Sequence, residues 1–159
     1  MKGSRVLITG EPKGRFLEGT ISGTPLPGTI MQIKADTAID GNGHFTFEAF
    51  NRDADGDNTQ GPLFVLLEKG EGYTYATAYA NGDHGFLYCP LPADELNLLW
   101  AAAGTATTDS VAVGDLAIVN DGDGLLIDTT GSPEQEPFMA CEALTDVVAA
   151  GTMCHVMKC

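Results

Sequence analysis

The stretch over residues 111–143 limits what this chain can fold into more than any other. Val111-Ala112-Val113-Gly114-Asp115-Leu116-Ala117-Ile118-Val119 passes through Asn120-Asp121-Gly122-Asp123-Gly124 into Leu125-Leu126-Ile127, and the stretch continues to Phe138-Met139-Ala140-Cys141. It predicts three short strands joined by tight turns. Apolar β-formers bounded by Gly, Asp and Asn are a hairpin signal, because those residues tolerate positive φ where the chain reverses. The stretch therefore reads as scaffold, and function has to be sought elsewhere.

The same alternation recurs along the chain. Residues 29–34 and 44–50 alternate polar and apolar side chains, the period-two pattern of half-buried strands, with Asp40-Gly41-Asn42-Gly43 as the turn between them. A polar loop over residues 51–62 precedes the buried-strand run Leu63-Phe64-Val65-Leu66-Leu67. Residues 73–79 predict a further strand. After a turn at Asn81-Gly82-Asp83, residues 85–91 predict another, which Pro90 ends or confines to an edge. Residues 152–159 alternate once more. Residues 92–103 read either as the one short helix, with Pro92 at its start and Leu96, Leu99 and Trp100 at helical spacing, or as a turn and a short strand. Roughly nine short strands with regularly spaced turns predict an all-β fold, a compact β-barrel or β-sandwich-like domain over residues 29–159. Residues 1–28, interrupted by Gly10, Gly14, Gly19, Gly23 and Gly28 and by Pro12, Pro25 and Pro27, predict an extended N-terminal arm, either frayed or pinned to another surface.

Composition narrows the function classes. The 159 residues suit one domain, and 43% hydrophobic content with 19% charged residues supplies a core. The longest apolar run, residues 96–103, falls far short of the roughly 20 residues of a membrane-spanning helix. Val6-Leu7-Ile8 is too short for the apolar region of a secretion signal, so synthesis in a cytoplasm is expected. Twenty-two acidic residues against eight basic ones give a formal charge of −14, which disfavours nucleic acid and anionic membranes and suits a partner with basic patches. In a chain expected to stay in a cytoplasm, Cys89, Cys141, Cys154 and Cys159 are expected as reduced thiols.

The residues that could carry chemistry have simpler readings. Asp53-Ala54-Asp55-Gly56-Asp57 opens like a calcium loop, but the twelfth position is Phe64 where a bidentate Glu is needed, so a solvated loop is expected. Asp121 and Asp123 belong to a turn. Cys154, His155 and Cys159, with Cys141, have zinc-ligand identities, yet adjacent strand residues point to opposite faces, so Cys154 and His155 are not expected to converge. His44 and His84 are expected at the surface. Asp94 with Glu95, and Glu134 with Glu136, fit capping and solvation better than paired-carboxylate catalysis. No nucleophile elbow or phosphate-binding loop occurs. A hydrolase would have to use His84 or His155. No catalytic residue, metal or cofactor is expected.

Four segments carry a resemblance: residues 22–34, 85–97, 113–119 and 137–144 are similar to segments of tailed-bacteriophage capsid decoration proteins, also called cement or head-stabilising proteins. The resemblance rests on general sequence character. It implies a β-rich domain (β-tulip type) that binds the outer surface of the expanded capsid. It also implies a homotrimer, with an N-terminal arm across neighbouring major capsid protein subunits. The protein would be made in the host bacterial cytoplasm and end on the virion. Pro25, Leu26, Pro27, Ile30, Met31, Ile33 and Lys34 are the expected capsid contacts, with Leu26, Ile30 and Ile33 as anchors, although residues 30–34 read equally well as the first barrel strand. The alternative is a non-catalytic β-sandwich binding module of a phage fibre or polysaccharide-binding protein, which would need exposed aromatic side chains on its loops.

Overall fold

A computed structural model of the chain describes residue 6 and residues 13–34, 39, 43–51, 62–70, 74, 76–101, 109–119, 122–128, 138–147 and 152–159. These residues contain no helix and twelve strands: β1 (Arg15–Ile21), β2 (Ile30–Ile33), β3 (Phe45–Ala49), β4 (Phe64–Leu66), β5 (His84–Cys89), β6 (Glu95–Trp100), β7 (Asp109–Val111), β8 (Leu116–Val119), β9 (Leu126–Asp128), β10 (Phe138–Ala140), β11 (Leu144–Val147) and β12 (Thr152–Lys158). The fold is all-β. Strands β1-β3-β2-β4-β5 close into one barrel and β10-β12-β6-β9-β8 into a second, while β7 and β11 form a separate two-stranded sheet. Each barrel has one parallel contact, β1 with β3 and β6 with β9; its other contacts are antiparallel. Closure gives every barrel strand a neighbour on both sides, β6 meeting β9 at Trp100 and Leu126, which limits the edge open to a stray strand.

The hairpin predicted within residues 111–143 is β8 and β9, with Val119 opposite Leu126 and Ile118 opposite Ile127. Gly122 and Gly124 take φ values of 90° and 66° in its turn. In the first barrel Gly19 and Gly85 face each other across β1 and β5. A Cβ on Gly19 would lie 2.3 Å from the Phe47 ring, and one on Gly85 would lie 2.6 Å from Ile21. The missing side chains make room for Ile21, Phe47 and Tyr79, which fill the barrel with Met31, Phe64, Leu66 and Leu87.

A second core fills the other barrel and the junction between the two. Leu96, Leu98, Trp100, Phe138, Cys154 and Val156 belong to it, and so do Ile30, Val65 and Tyr88 from strands of the first barrel. Side chains alternate along a strand, so Ile30 and Met31 serve different cores. Main-chain bonds stitch the junction. Ile30 N donates to Gly124 O at 2.7 Å, Gly122 N to Phe50 O at 2.9 Å and Leu99 N to Gly28 O at 3.2 Å.

Two expectations need correction, and one open choice is resolved. Arg15–Ile21, assigned to an extended arm, is a barrel strand paired with β3 on one side and β5 on the other. Its alternation of Leu17, Gly19 and Ile21 with Phe16, Glu18 and Thr20 is a strand period that the surrounding glycines and prolines obscure. Val6, further into the same segment, is fully buried, and its carbonyl accepts from Asn97 N at 2.6 Å. Of the two readings of residues 92–103, the turn and strand hold: β6 lies at the junction and is covered on both faces, which removes the period-two signal and leaves a continuous apolar run. Residues 73–79 do not supply the predicted strand among the described positions. Thr77 N closes a turn onto Thr74 O at 2.9 Å, and Tyr79 leaves it to plug the first barrel.

Candidate functional site

The residues expected to grip a capsid are largely used up by the fold. Ile30 and Met31 are fully buried and Pro27 is buried, while Pro25, Leu26 and Lys34 are half-buried, Leu26 against the junction core. Lys34 Nζ donates to Ser22 Oγ at 3.2 Å. Only Ile33 stays open to solvent, so residues 30–33 act as a barrel strand, one of their two expected roles.

A different surface is free. The outward side chains of β1 are Phe16, Glu18 and Thr20, and the register sets them opposite Tyr88, Phe86 and His84 of β5. Phe16 is 57% exposed and Phe86 41% exposed, large values for side chains of this size. The rings form a stripe: Phe16 lies 5.1 Å from Tyr88, Phe86 lies 6.2 Å from His84, and His84 lies 4.9 Å from His44, just ahead of β3. Glu18 sits among them, with its Oε2 3.1 Å from His84 Nε2. At the junction end Tyr88 has no exposed surface. His84 is exposed as expected, whereas His44 is half-buried.

Tyr88 is held there by polar bonds. Its hydroxyl accepts from Gly14 N at 2.6 Å and donates to Asp94 Oδ2 at 2.6 Å. Burial, and then the neighbouring Asp94 carboxylate, push the Tyr88 phenol up to about 12. Burial does the same to Tyr79, also to about 12, where the hydroxyl donates to Leu67 O at 3.0 Å. Both folded values lie above the ordinary 10, so this contribution to stability is complete below pH 10 and is lost as pH rises through 12. Two of the four tyrosines should therefore ionise near pH 12 in a tyrosinate absorbance titration, and the urea midpoint should fall between pH 10 and 12. Four tyrosines ionising together near 10 would contradict this. Beside Tyr79, Lys69 Nζ pairs with Asp83 Oδ2 at 2.5 Å and holds that carboxyl below the usual range.

The remaining candidates do not assemble. None of the four cysteines is in a disulfide. Cys154 points into the second barrel, while His155 faces outward and meets Glu95 Oε2 at 3.2 Å, as strand alternation predicts. Burial pushes the Cys141 thiol up, which leaves it protonated and a poor nucleophile at neutral pH. Asp123 accepts from Leu125 N at 3.0 Å as a turn residue. Among the described residues no group of three or more His, Cys, Asp and Glu side chains is placed to hold a metal ion. The Asp53-Asp55-Asp57 loop, Asp121, Glu134 and Glu136 lie outside the described residues.

The aromatic stripe was invisible to motif reasoning because its members come from β1, β5 and the residue just ahead of β3, far apart in sequence. The signal that could have found it is the pair of alternating runs Phe16-Leu17-Glu18 and His84-Gly85-Phe86, each with an aromatic and a polar residue on one face. By fold this is an all-β protein of two closed five-stranded barrels. Among known proteins, the chain matches no family model and no curated protein.

Proposed function

We propose that this chain is a structural protein of a tailed-phage virion that binds the outer surface of the expanded capsid and clamps neighbouring major capsid protein subunits. The observation that carries the proposal is the exposed pair of rings, Phe16 and Phe86, on a closed barrel of a strongly acidic chain. Exposed apolar surface gathered on one face can serve as an interaction site. The four segments similar to decoration proteins supply β2, β5, β6, β8 and β10, which means strands of both barrels. Binding the expanded lattice and not the separate subunits would stabilise the shell by linkage, and a homotrimer would add its three contacts through effective concentration. With a formal charge of −14, direct contact with packaged nucleic acid or with an anionic membrane is disfavoured.

The same rings also suit the face of a pyranose, which keeps a glycan-binding module of a phage fibre as the second possibility. Co-sedimentation with expanded and unexpanded capsids separates the two. Sedimentation with expanded capsids alone supports the clamp, and sedimentation with neither overturns it. Light scattering should give the mass of a trimer. Deletion of residues 1–28 is not a usable control, because it removes β1 and opens the first barrel.

A further inference from the structure

We infer that the stripe of Phe16, Phe86 and Glu18 is the docking surface, and that it receives lysine or arginine side chains from a basic protein surface. The inference rests on the capsid-binding proposal only for the partner's identity. The chemistry of the recognition comes from the stripe itself.

Three observations converge on a cationic partner. First, the strands that carry the exposed rings are paired on both sides. Phe16 and Phe86 stand on adjacent strands of a closed barrel, diagonal to each other in the β1/β5 register. Docking a partner there orders little that is not already ordered, which favours affinity. Second, Glu18 lies directly opposite Phe86 and two residues from Phe16 on the same face. A guanidinium or ammonium over either ring, within about 6 Å of its centre, is attracted by the ring's negative face and lies within reach of the carboxylate. Third, the whole chain carries −14, so its field draws basic surfaces in and orients them. A neutral sugar gains nothing from that field, and an anionic partner is repelled. The candidate contacts over residues 25–34 offer no such arrangement, since only Ile33 among them is open to solvent.

Two measurements test this. In the first, a capped tri-arginine peptide is titrated into the intact protein and followed by NMR. The Phe16 and Phe86 ring signals and the Glu18 carboxyl should shift, and the shifts should weaken severalfold between about 0.05 M and 0.5 M salt. Maltose should leave these signals in place. No shift with the peptide, or a shift with maltose alone, overturns the inference. In the second, Phe16→Ser/Phe86→Ser and Glu18→Gln are compared with the wild type in capsid co-sedimentation. The double variant should bind at least about tenfold more weakly, and Glu18→Gln severalfold more weakly with a shallower salt dependence. Wild-type binding by both overturns the inference. If the double variant does not fold, Glu18→Gln decides by itself. Wild-type protein that never sediments with capsids overturns the capsid proposal alone, and the peptide titration then judges the docking chemistry.

Discussion

Gly124→Ala should destabilise the protein by about 3–5 kcal/mol, while Gly122→Ala in the same turn should cost only about 1–2 kcal/mol. Both glycines have positive φ, 66° and 90°, so both alanines bear the left-handed penalty. Their surroundings differ. A Cβ at Gly122 meets nothing within 4 Å, whereas one at Gly124 would sit 2.1 Å from the carbonyl oxygen of Ile30 and 2.9 Å from Thr29 Cγ2. The obstacle is backbone, so no rotamer change relieves it. Relief would require moving the turn away from β2, which breaks the Ile30 N to Gly124 O bond of 2.7 Å. A lost buried main-chain bond adds about 1–3 kcal/mol, and displacing fully buried Ile30 disturbs the junction core as well. Urea unfolding measures both variants, with the midpoint shifted and the slope unchanged. Equal losses at the two positions would show that the close approach of the barrels does not matter.

Gly124 also shows what the sequence could and could not disclose. A glycine-rich turn between apolar runs was legible because turn chemistry is local, and β8 and β9 pair as that chemistry predicts. The second use of the same glycine, to let one barrel touch the other, depends on residues almost a hundred positions away and has no local signature. The same division runs through the fold. The period-two runs at residues 45–49 and 152–158 were readable because one face of each is covered more than the other, whereas at the start of residues 30–33 Ile30 and Met31 are buried on opposite faces. Residues 95–100 were ambiguous because the junction covers both faces of β6, and Leu96, Leu99 and Trp100 then match a helical spacing by coincidence.

The candidate site was harder to read for a related reason. Glycine and proline content suggested that everything before residue 29 lay outside the domain, which placed Phe16 and Glu18 in an arm. Gly19 is in β1 because Phe47 needs its space, not because the chain must turn there. Once Arg15–Ile21 is recognised as a strand, Phe16 and Glu18 become outward residues of a closed barrel. The proposed docking face then spans β1 and β5, of which the hydrophobic pattern alone had suggested only β5.

Asp94→Ala should be the other severe substitution, costing about 3–5 kcal/mol. The Asp94 side chain has no exposure and concentrates bonds from three parts of the chain. Its Oδ2 accepts from Tyr88 Oη at 2.6 Å and from Leu91 N at 2.8 Å, and its Oδ1 lies 3.4 Å from Lys13 N. Its own backbone completes the knot, because Asp94 N donates to Leu91 O at 3.0 Å and Asp94 O accepts from Lys158 N at 3.0 Å. The preceding residue, Ala93, has a φ of 71°, a strained value for a non-glycine that this turn holds in place. Alanine at 94 would strand the Leu91 N–H and the Tyr88 hydroxyl, and through Tyr88 it would loosen the bond from Gly14 N that anchors the start of β1. Asp94→Asn retains one acceptor oxygen and should lose roughly half as much. A second readout separates loss of the bond network from a plain cavity. Without the carboxylate, Tyr88 should ionise below its value of about 12 yet above 10, since its burial, the larger cause, remains. An Asp94→Ala protein that loses under about 1 kcal/mol in urea, with Tyr88 ionisation unmoved, would mean that the network does not hold the two barrels and β1 together.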